Sequence, residues 1–334
     1  VRDVLTVILG LAGALVYGAA DFLGGIAARR ISALRVTAIG ALSGVVLLAI
    51  GSLVVPGQWS WEAVLWGGIS GVTGAAAIAL LYACLAIGPM SILSPLTAVT
   101  SAIVPLTWGL VTGSELGLIA YPAFALALVA VVLVGFVPSK EAVRPTLAGL
   151  LMAIASGTLI GAFYILIDQT PDDSGLVPLV VNRSVSGSIM ITLIIVVAIV
   201  AAARQVRATD APRAVLDGAH GAPHGLAGAG ADGSTERAAD GGAGLLRASA
   251  AALRGGWRGG FWLAVGCGLL DAIANIIVIV GLRIGELEIV SVLTALYPAG
   301  TILLAAVVLR ERIARLQWVG LALALAASAM LAAA

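Results

Sequence analysis

Apolar runs of about 20 residues or more follow one another along this chain, at about 4–27, 34–55, 62–87, 91–112, 116–137, 146–168, 176–201, 258–283, 287–309 and 313–333. Each has the length an α-helix needs to cross the roughly 30 Å hydrocarbon core of a bilayer. Water is absent from that core, so a spanning backbone must satisfy its own N–H and C=O groups, and a helix does so within one segment. The expected fold class is all-α: a polytopic membrane protein with ten transmembrane helices and the lipid bilayer as its first partner. Composition agrees, since 61% of the 334 residues are hydrophobic and 10% charged, against roughly 45–50% and 25% in soluble domains. A formal net charge of +1 gives no footprint for nucleic acid, and no such partner is expected.

The small inventory of reactive residues excludes several chemistries. Cys84 and Cys267 each lie inside an apolar run, where a thiol behaves as a small buried apolar group. His220 and His224 fall in a Gly/Ala-rich polar stretch without a helix signal, so no metal site is expected there. No histidine stands at membrane depth to serve a Ser/His pair. No GxxxxGK[ST] loop is present for nucleotide phosphates. Neither a cofactor nor a metal is expected, and the chain does not read as an enzyme. Val1-Arg2-Asp3 makes a poor signal-peptide head and the run behind it is too long, so the first helix is expected to remain in the protein.

Connections between the runs are short and carry turn residues, such as Pro56-Gly57 and Gly88-Pro89,. The exception, about 202–257, is rich in Gly, Ala, Asp and Arg with no sustained period, and it reads as a solvated, disordered polar insertion. All Lys and Arg except Arg2, Arg183 and Arg283 fall on loops of one side. The positive-inside rule makes that side cytoplasmic and places both termini outside. Trp59, Trp61, Trp257, Trp262 and Trp318 lie near span ends, as interfacial aromatics do.

The chain also repeats itself. Gly88, Ser94, Leu96, Thr97 and Ala98 correspond to Gly285, Ser291, Leu293, Thr294 and Ala295 at an offset of 197, and Gly18, Ser43 and Gly44 to Gly161, Ser186 and Gly187 at 143. The difference of 54 matches the polar stretch, which therefore reads as an insertion between the second and third helices of the second repeat. The expected units are 4–137 and 146–333. Five helices is an odd number, so the two units must be inverted relative to each other. That is a transporter architecture, with a site at the repeat interface exposed alternately to each side. No filter-like loop or ring of charges suggests a channel.

On Tyr17-Gly-Ala-Ala-Asp21-Phe-Leu-Gly-Gly25, the Gly88 and Gly285 segments, Glu115, Glu311 and Gln317-Trp318-Val-Gly320, the chain resembles the EamA-type, ten-helix transporters of the drug/metabolite transporter superfamily. The resemblance covers nearly everything but 202–257. It implies that the first four helices of each repeat surround a central cavity while the fifth packs outside. Two features depart from the family pattern. Family members are usually described with cytoplasmic termini, and the basic residue often seen in a repeat's second helix is Arg183 in one repeat but Gly40 in the other.

Ionisable groups at membrane depth are costly and usually face a cavity or a partner. Asp21, Arg183 and Asp271 stand out. Asp271 is halfway along its helix, with Asn275 on the same face, and serves either proton coupling and substrate contact or a structural hydrogen bond. Arg183, about seven residues into its helix, either snorkels to the interface, pairs with Asp271 or offers charge to a substrate. Helical rise puts Asp21 and Arg183 in opposite leaflets, so no direct pair is expected. Ser94, Thr97, Ser291 and Thr294 are candidate cavity hydroxyls that packing within helices would explain equally well. Tyr17, Tyr82, Tyr164 and Tyr297 offer amphipathic rings for solutes or for packing. Pro95, Pro105 and Pro298 free carbonyls and permit bends. The small-xxx-small pairs Gly67/Gly71 and Gly281/Gly285 allow close helix approach and leave a homodimer open.

The expected function is secondary-active transport of a small organic solute across the cell membrane, by export and with protons as the counter-ion. Uptake of a sugar or similar metabolite is the alternative within the class. Outside it stand a membrane enzyme acting on lipid-linked substrates, for which Asp172-Asp173 is the nearest acidic pair, and a non-transporting scaffold.

Overall fold

The computed structural model describes residues 2–28, 30–31, 33–87, 90–114, 116–135, 146–218, 259–310 and 313–333. Every regular element among them is helical: α1 (Arg2–Ala28), α2 (Ala33–Val54), α3 (Trp61–Ile87), α4 (Met90–Thr112), α5 (Ala120–Gly135), α6 (Leu147–Asp168), α7 (Val177–Gly218), α8 (Phe261–Ile284), α9 (Leu287–Thr294), α10 (Tyr297–Val308) and α11 (Arg315–Leu331), plus one 3-10 turn at Asp172–Ser174. Among the described residues eight stretches are long and apolar enough to cross a membrane, with α9 and α10 together forming one, and α5 and α11 are shorter apolar helices. Large apolar side chains such as Val46, Ile50, Leu151 and Leu325 stand on the outer surface, as they must where lipid is the solvent. The protein is an all-α polytopic membrane protein.

The structure corrects the expected boundaries in three places. The ninth span is broken at Ala295–Leu296, because Pro298 has no N–H to return to the preceding turn and instead sits in the first turn of α10,. Pro95 and Pro105, by contrast, are carried inside the continuous α4. Second, α7 does not stop near 201 but runs 42 residues to Gly218. The sequence beyond 201 is polar but rich in Ala and Arg, which are strong helix formers, so polarity misplaced the loop's start. At 1.5 Å per residue α7 is about 63 Å long, roughly twice the hydrocarbon thickness, and its second half projects beyond it. The remainder of the expected insertion, 219–257, lies outside the described residues. Third, α5 begins at Ala120 rather than 116 and α11 spans only 17 residues.

Helix packing closes a ring. Around it α1 lies against α8, α8 against α2, α2 against α7, α7 against α3, α3 against α6, α6 against α4, α4 against α9, and α9 and α10 against α1. Outside the ring α5 and α11 pack on each other, with α5 also touching α4 and α10. The contacts come in exchanged sets: α1 on α8 is matched by α6 on α3, α2 on α8 by α7 on α3, and α1 on α10 by α6 on α4. Individual glycines follow the same exchange. Gly18 of α1 lies against Gly300 and Thr301 of α10, and Gly161 of α6 against Val104 and Pro105 of α4. Under the two sequence offsets Gly18 is equivalent to Gly161, and Thr301 to Val104.

Small residues set these distances, since lipid tails are as apolar as Leu and give helices no hydrophobic reason to associate. A Cβ on Gly268 would stand 2.2 Å from the Gly40 carbonyl oxygen, and Cβ atoms on Gly67 and Gly71 would meet the carbonyls of Pro178 and Asn182 at 2.7 and 2.6 Å. Asn182 then donates to Ser70 at 2.9 Å, and Ser70 to the Gly67 carbonyl at 2.7 Å, locking α3 to α7.

The ends of the ring differ. From mid-ring to one end, a single buried cluster including Leu48, Ile167, Leu179, Ile279, Leu282 and Leu287 joins α2, α6, α7, α8 and α9. At the far end two separate clusters form, one on α1, α2 and α8 (Ala27, Ile31, Ile39, Ala264) and one on α3, α4 and α6 (Cys84, Leu93, Ala153). Among the described residues no buried cluster bridges those two. Among the described residues the ring is therefore closed by one shared cluster at one end, and carries two separate clusters at the other.

Gly268→Val forces α2 and α8 apart and should lower the detergent-solubilised protein's melting temperature by several degrees, equivalent to about 1–3 kcal/mol. Gly74→Ala, where nothing lies within 4 Å of the added Cβ, should melt at the parent temperature or a degree or two above it, as unobstructed helical Gly→Ala changes stabilise slightly.

Candidate functional site

The site grows from the way α2 is interposed between α7 and α8. Arg183 is in the second turn of α7 and Asp271 midway along α8, and the side chains must pass α2 to meet. They do so beside Gly44. A Cβ there would find the Gly268 carbonyl oxygen at 3.5 Å, Ala272 Cβ at 3.7 Å and Arg183 Cδ at 3.9 Å. Across this gap Arg183 Nη2 donates to Asp271 Oδ2 in an ion pair. The two side chains are 15% and 29% exposed, so the pair is sheltered, and at membrane depth each charge gives the other what solvent cannot. Arg183 Nε is buried and has no hydrogen-bond partner, which leaves a donor to spare. Of the three roles open to Arg183, pairing with Asp271 is the one the structure adopts.

Asn275, one turn along α8, donates Nδ2 to the Asp271 backbone carbonyl at 2.7 Å and leaves the carboxylate to Arg183. Asp21 of α1 has no ion pair or hydrogen bond among the described residues, keeps exposed surface and lies within electrostatic reach of Asp271. Tyr17, one turn earlier on the same face of α1, is within reach of both carboxylates. Its hydroxyl interacts with that of Tyr164 on α6. Tyr297, opening α10 at the break in the ninth span, is close enough to feel Asp21 and Tyr164. Five helices of the ring thus turn three tyrosines, two carboxylates and a guanidinium toward one region, next to the buried cluster that closes the end.

The charges are placed on one half of an otherwise exchanged framework. At the offsets of 143 and 197, Arg183 corresponds to Gly40, Asp271 to Gly74 and Tyr164 to Asp21. The framework repeats; its polar equipment does not.

The candidate hydroxyls have other occupations. Thr97 donates to the carbonyls of Leu93 at 3.0 Å and Ala153 at 3.2 Å, and Ser291 to Glu288 at 3.2 Å. Thr294 Oγ1 is buried without a partner. The Tyr82 and Ser94 side chains lie outside the described residues. Asp172 and Asp173 are bonded as loop residues: Asp172 to Arg283 at 3.0 Å, and the Asp173 carbonyl to the Gln58 N–H at 2.9 Å.

Two residues escaped the sequence reading. Arg283, at the end of α8, looked like an ordinary loop charge but reaches Thr170, Asp172 and Ser174. Glu288 is 1% exposed, with Oε1 unpartnered and pressed where a Gly109 side chain would be. The one signal for Glu288 was a carboxylate one residue inside an apolar run, whose counterpart at offset 197 is the uncharged Ser91.

Residues 242–333 match the family described as EamA-like transporters. A solved crystal structure of 13% identity superimposes with a TM-score of 0.63, covering 97% of this chain and 95% of its own; at that identity the likeness shows a shared fold. No curated protein matches the chain.

Removing one member of the ion pair leaves the other charged and unpaired. Arg183→Ala and Asp271→Ala should each destabilise by about 3–5 kcal/mol, whereas the double variant should lose clearly less than their sum. Chemical unfolding in detergent micelles measures this coupling; additive losses would deny it.

Proposed function

We propose, for a chain whose residues 242–333 match the EamA-like transporter family, that the whole protein is a secondary-active transporter. It moves a small organic solute by alternating access and works as an exporter, with proton exchange at the central carboxylates. The observation that carries this reading is the polar site itself: an Arg183–Asp271 pair, an unpaired Asp21 and three tyrosines, inside the ring and next to the cluster that closes one of its ends. Alternating access needs such a site between two ends that close in turn. We take 4–137 and 146–333 as the inverted repeats, which the exchanged helix contacts support. Loop charges favour a closed end facing outward, because that end carries only Arg2 and Arg283 of the basic residues.

Two carboxylates against one guanidinium, with phenol rings around them, suit a solute with a cationic or hydrogen-bonding group on an apolar body. The spare Arg183 Nε donor favours a second reading, uptake of a hydroxyl-rich metabolite, since such a donor needs an acceptor.

A ligand screen by thermal shift, followed by flux of each hit in proteoliposomes at two pH values, tests the proposal. Asp21→Asn should weaken binding of a hit about tenfold or more, the size of a lost hydrogen bond to a charged group. Asp271→Asn should flatten the pH dependence of its flux. Flux unchanged in both variants, or no flux of any hit in the parent protein, would contradict the proposal.

A further inference from the structure

Arg283 ends α8 at the closed mouth of the ring, where its guanidinium turns across the mouth rather than out to solvent. Nη1 donates to the Thr170 carbonyl and, at 3.0 Å, to Asp172 Oδ1. Nη2 donates to Thr170 Oγ1 at 2.6 Å and to Ser174 Oγ at 3.3 Å. All these acceptors belong to the turn between α6 and α7, two helices that α8 otherwise meets through a small direct contact with α6, the buried cluster beneath the mouth and the Arg183–Asp271 pair. Asp172 is 90% exposed, so its ion pair contributes little. Thr170 and Ser174 are 3% and 0% exposed, and hydrogen bonds from a charged donor to sheltered acceptors are the strong ones.

The receiving turn is itself held rigid. Ser174 donates to the Pro171 carbonyl at 2.5 Å and Thr170 to that of Ile167 at 2.6 Å. The left-handed Gly175 (φ +53) reverses the chain,. From the α2–α3 connection the Gln58 N–H bonds to the Asp173 carbonyl, and Gly57 lies so close that a Cβ would stand 2.1 Å from the Ser174 oxygen.

The repeat-equivalent positions at the other end do not encode the same set. By the sequence offsets Arg283 corresponds to Ala86, Thr170 to Ala27 and Ser174 to Ile31. Ala27 and Ile31 are spent in the apolar cluster on α1, α2 and α8. Arg30 does donate to the Gly259 carbonyl at 3.1 Å, but this joins helices already adjacent in the ring and crosses no mouth.

We propose that Arg283 is a one-sided latch, which ties the end of α8 across the mouth to the α6–α7 turn and sets the resting state as closed at this end. The inference rests on the transporter reading for its purpose, though not for its geometry. Two inverted repeats of equal sequence would make the two closed states equal in energy. A latch at one end only tips that balance, and the solute or counter-ion must then supply the difference to open it. Arg283 is a positioning residue in this account and touches no solute.

The test uses the full chain in detergent, with Cys84 and Cys267 replaced by Ala and one reporter cysteine added. Leu179→Cys reports from beneath the latch (2% exposed) and Leu93→Cys from the far-end cluster (0% exposed). The readout is the rate of reaction with a hydrophilic maleimide. Arg283→Ala should raise the Leu179→Cys rate about tenfold or more, the equivalent of one or two hydrogen bonds to a charged group, while leaving the Leu93→Cys rate unraised. Arg283→Lys, which keeps the charge without the fork, should give an intermediate rate. The Thr170→Val/Ser174→Ala double variant should too, and it serves if Arg283→Ala does not fold. Unchanged Leu179→Cys rates across these variants, or both reporters rising together as in general loosening, would overturn the latch. Opposed reporter behaviour in a protein that carries no solute would overturn the transporter reading and leave the latch in place.

Discussion

An arginine and an aspartate that meet at membrane depth impose most of what is particular about this molecule. Neither charge is tolerable alone in hydrocarbon surroundings, and each is tolerable only while the other is within reach. Since α2 stands between α7 and α8, the pair forms beside α2 at Gly44, where even a Cβ would already be in van der Waals contact with Arg183. The distances among three helices are thereby tied to one another. Spread α7 from α8 and two charges are stranded. The cost of breaking the pair makes the arrangement stiff, and its remaining donor and neighbouring carboxylate make it receptive.

The rest of the ring is held by a weaker and more distributed principle. Glycine and alanine let backbones come within contact distance, and hydroxyls bond carbonyls either on their own helix or across the contact, as Ser156 does to the Ala77 carbonyl at 2.8 Å and Thr301 to that of Gly18 at 3.2 Å. Such contacts are individually modest, which suits the alternating-access motion proposed for the ring. The closed mouth combines both kinds of force: an apolar cluster beneath and one heavily bonded guanidinium above it. At the other end the described residues form two separate apolar clusters, and Arg30 bonds the Gly259 carbonyl.

Much of this was legible in the sequence, for identifiable reasons. Spans follow from length and apolarity, which lipid enforces more strictly than any soluble environment does. Asp21, Arg183 and Asp271 were conspicuous because each interrupts a run where charge is costly, and the tyrosines Tyr17, Tyr164 and Tyr297 gather about them. The misses have physical causes as well. Arg283 lies at a helix end, where a long basic side chain ordinarily snorkels to water, and only the folded turn shows that it bends inward to Thr170. Glu288 sits in the first turn of a helix, a place where acidic residues are common for reasons of helix dipole alone. Its burial depends on Gly109 of another helix. The break in the ninth span was one of three prolines flagged alike; whether a proline bends or breaks a helix depends on what packs beside it. The reach of α7 was misjudged because polarity was weighed above the intrinsic helix preference of its Ala-rich continuation.

The central claim is that two ends of one ring close in turn around the Arg183–Asp271 site. Its most direct test is a pair of spin-label distances in the cysteine-free full chain, one across each mouth. Exposed positions serve: 173 with 286 at the latched end, and 147 with 262 at the other. Measured with and without Arg283→Ala, the account predicts opposite changes, the latched mouth widening as the far mouth narrows. If the latched mouth widened while the far mouth kept its distances, the ring would be a structure that merely opens, and the account of alternating ends would be contradicted.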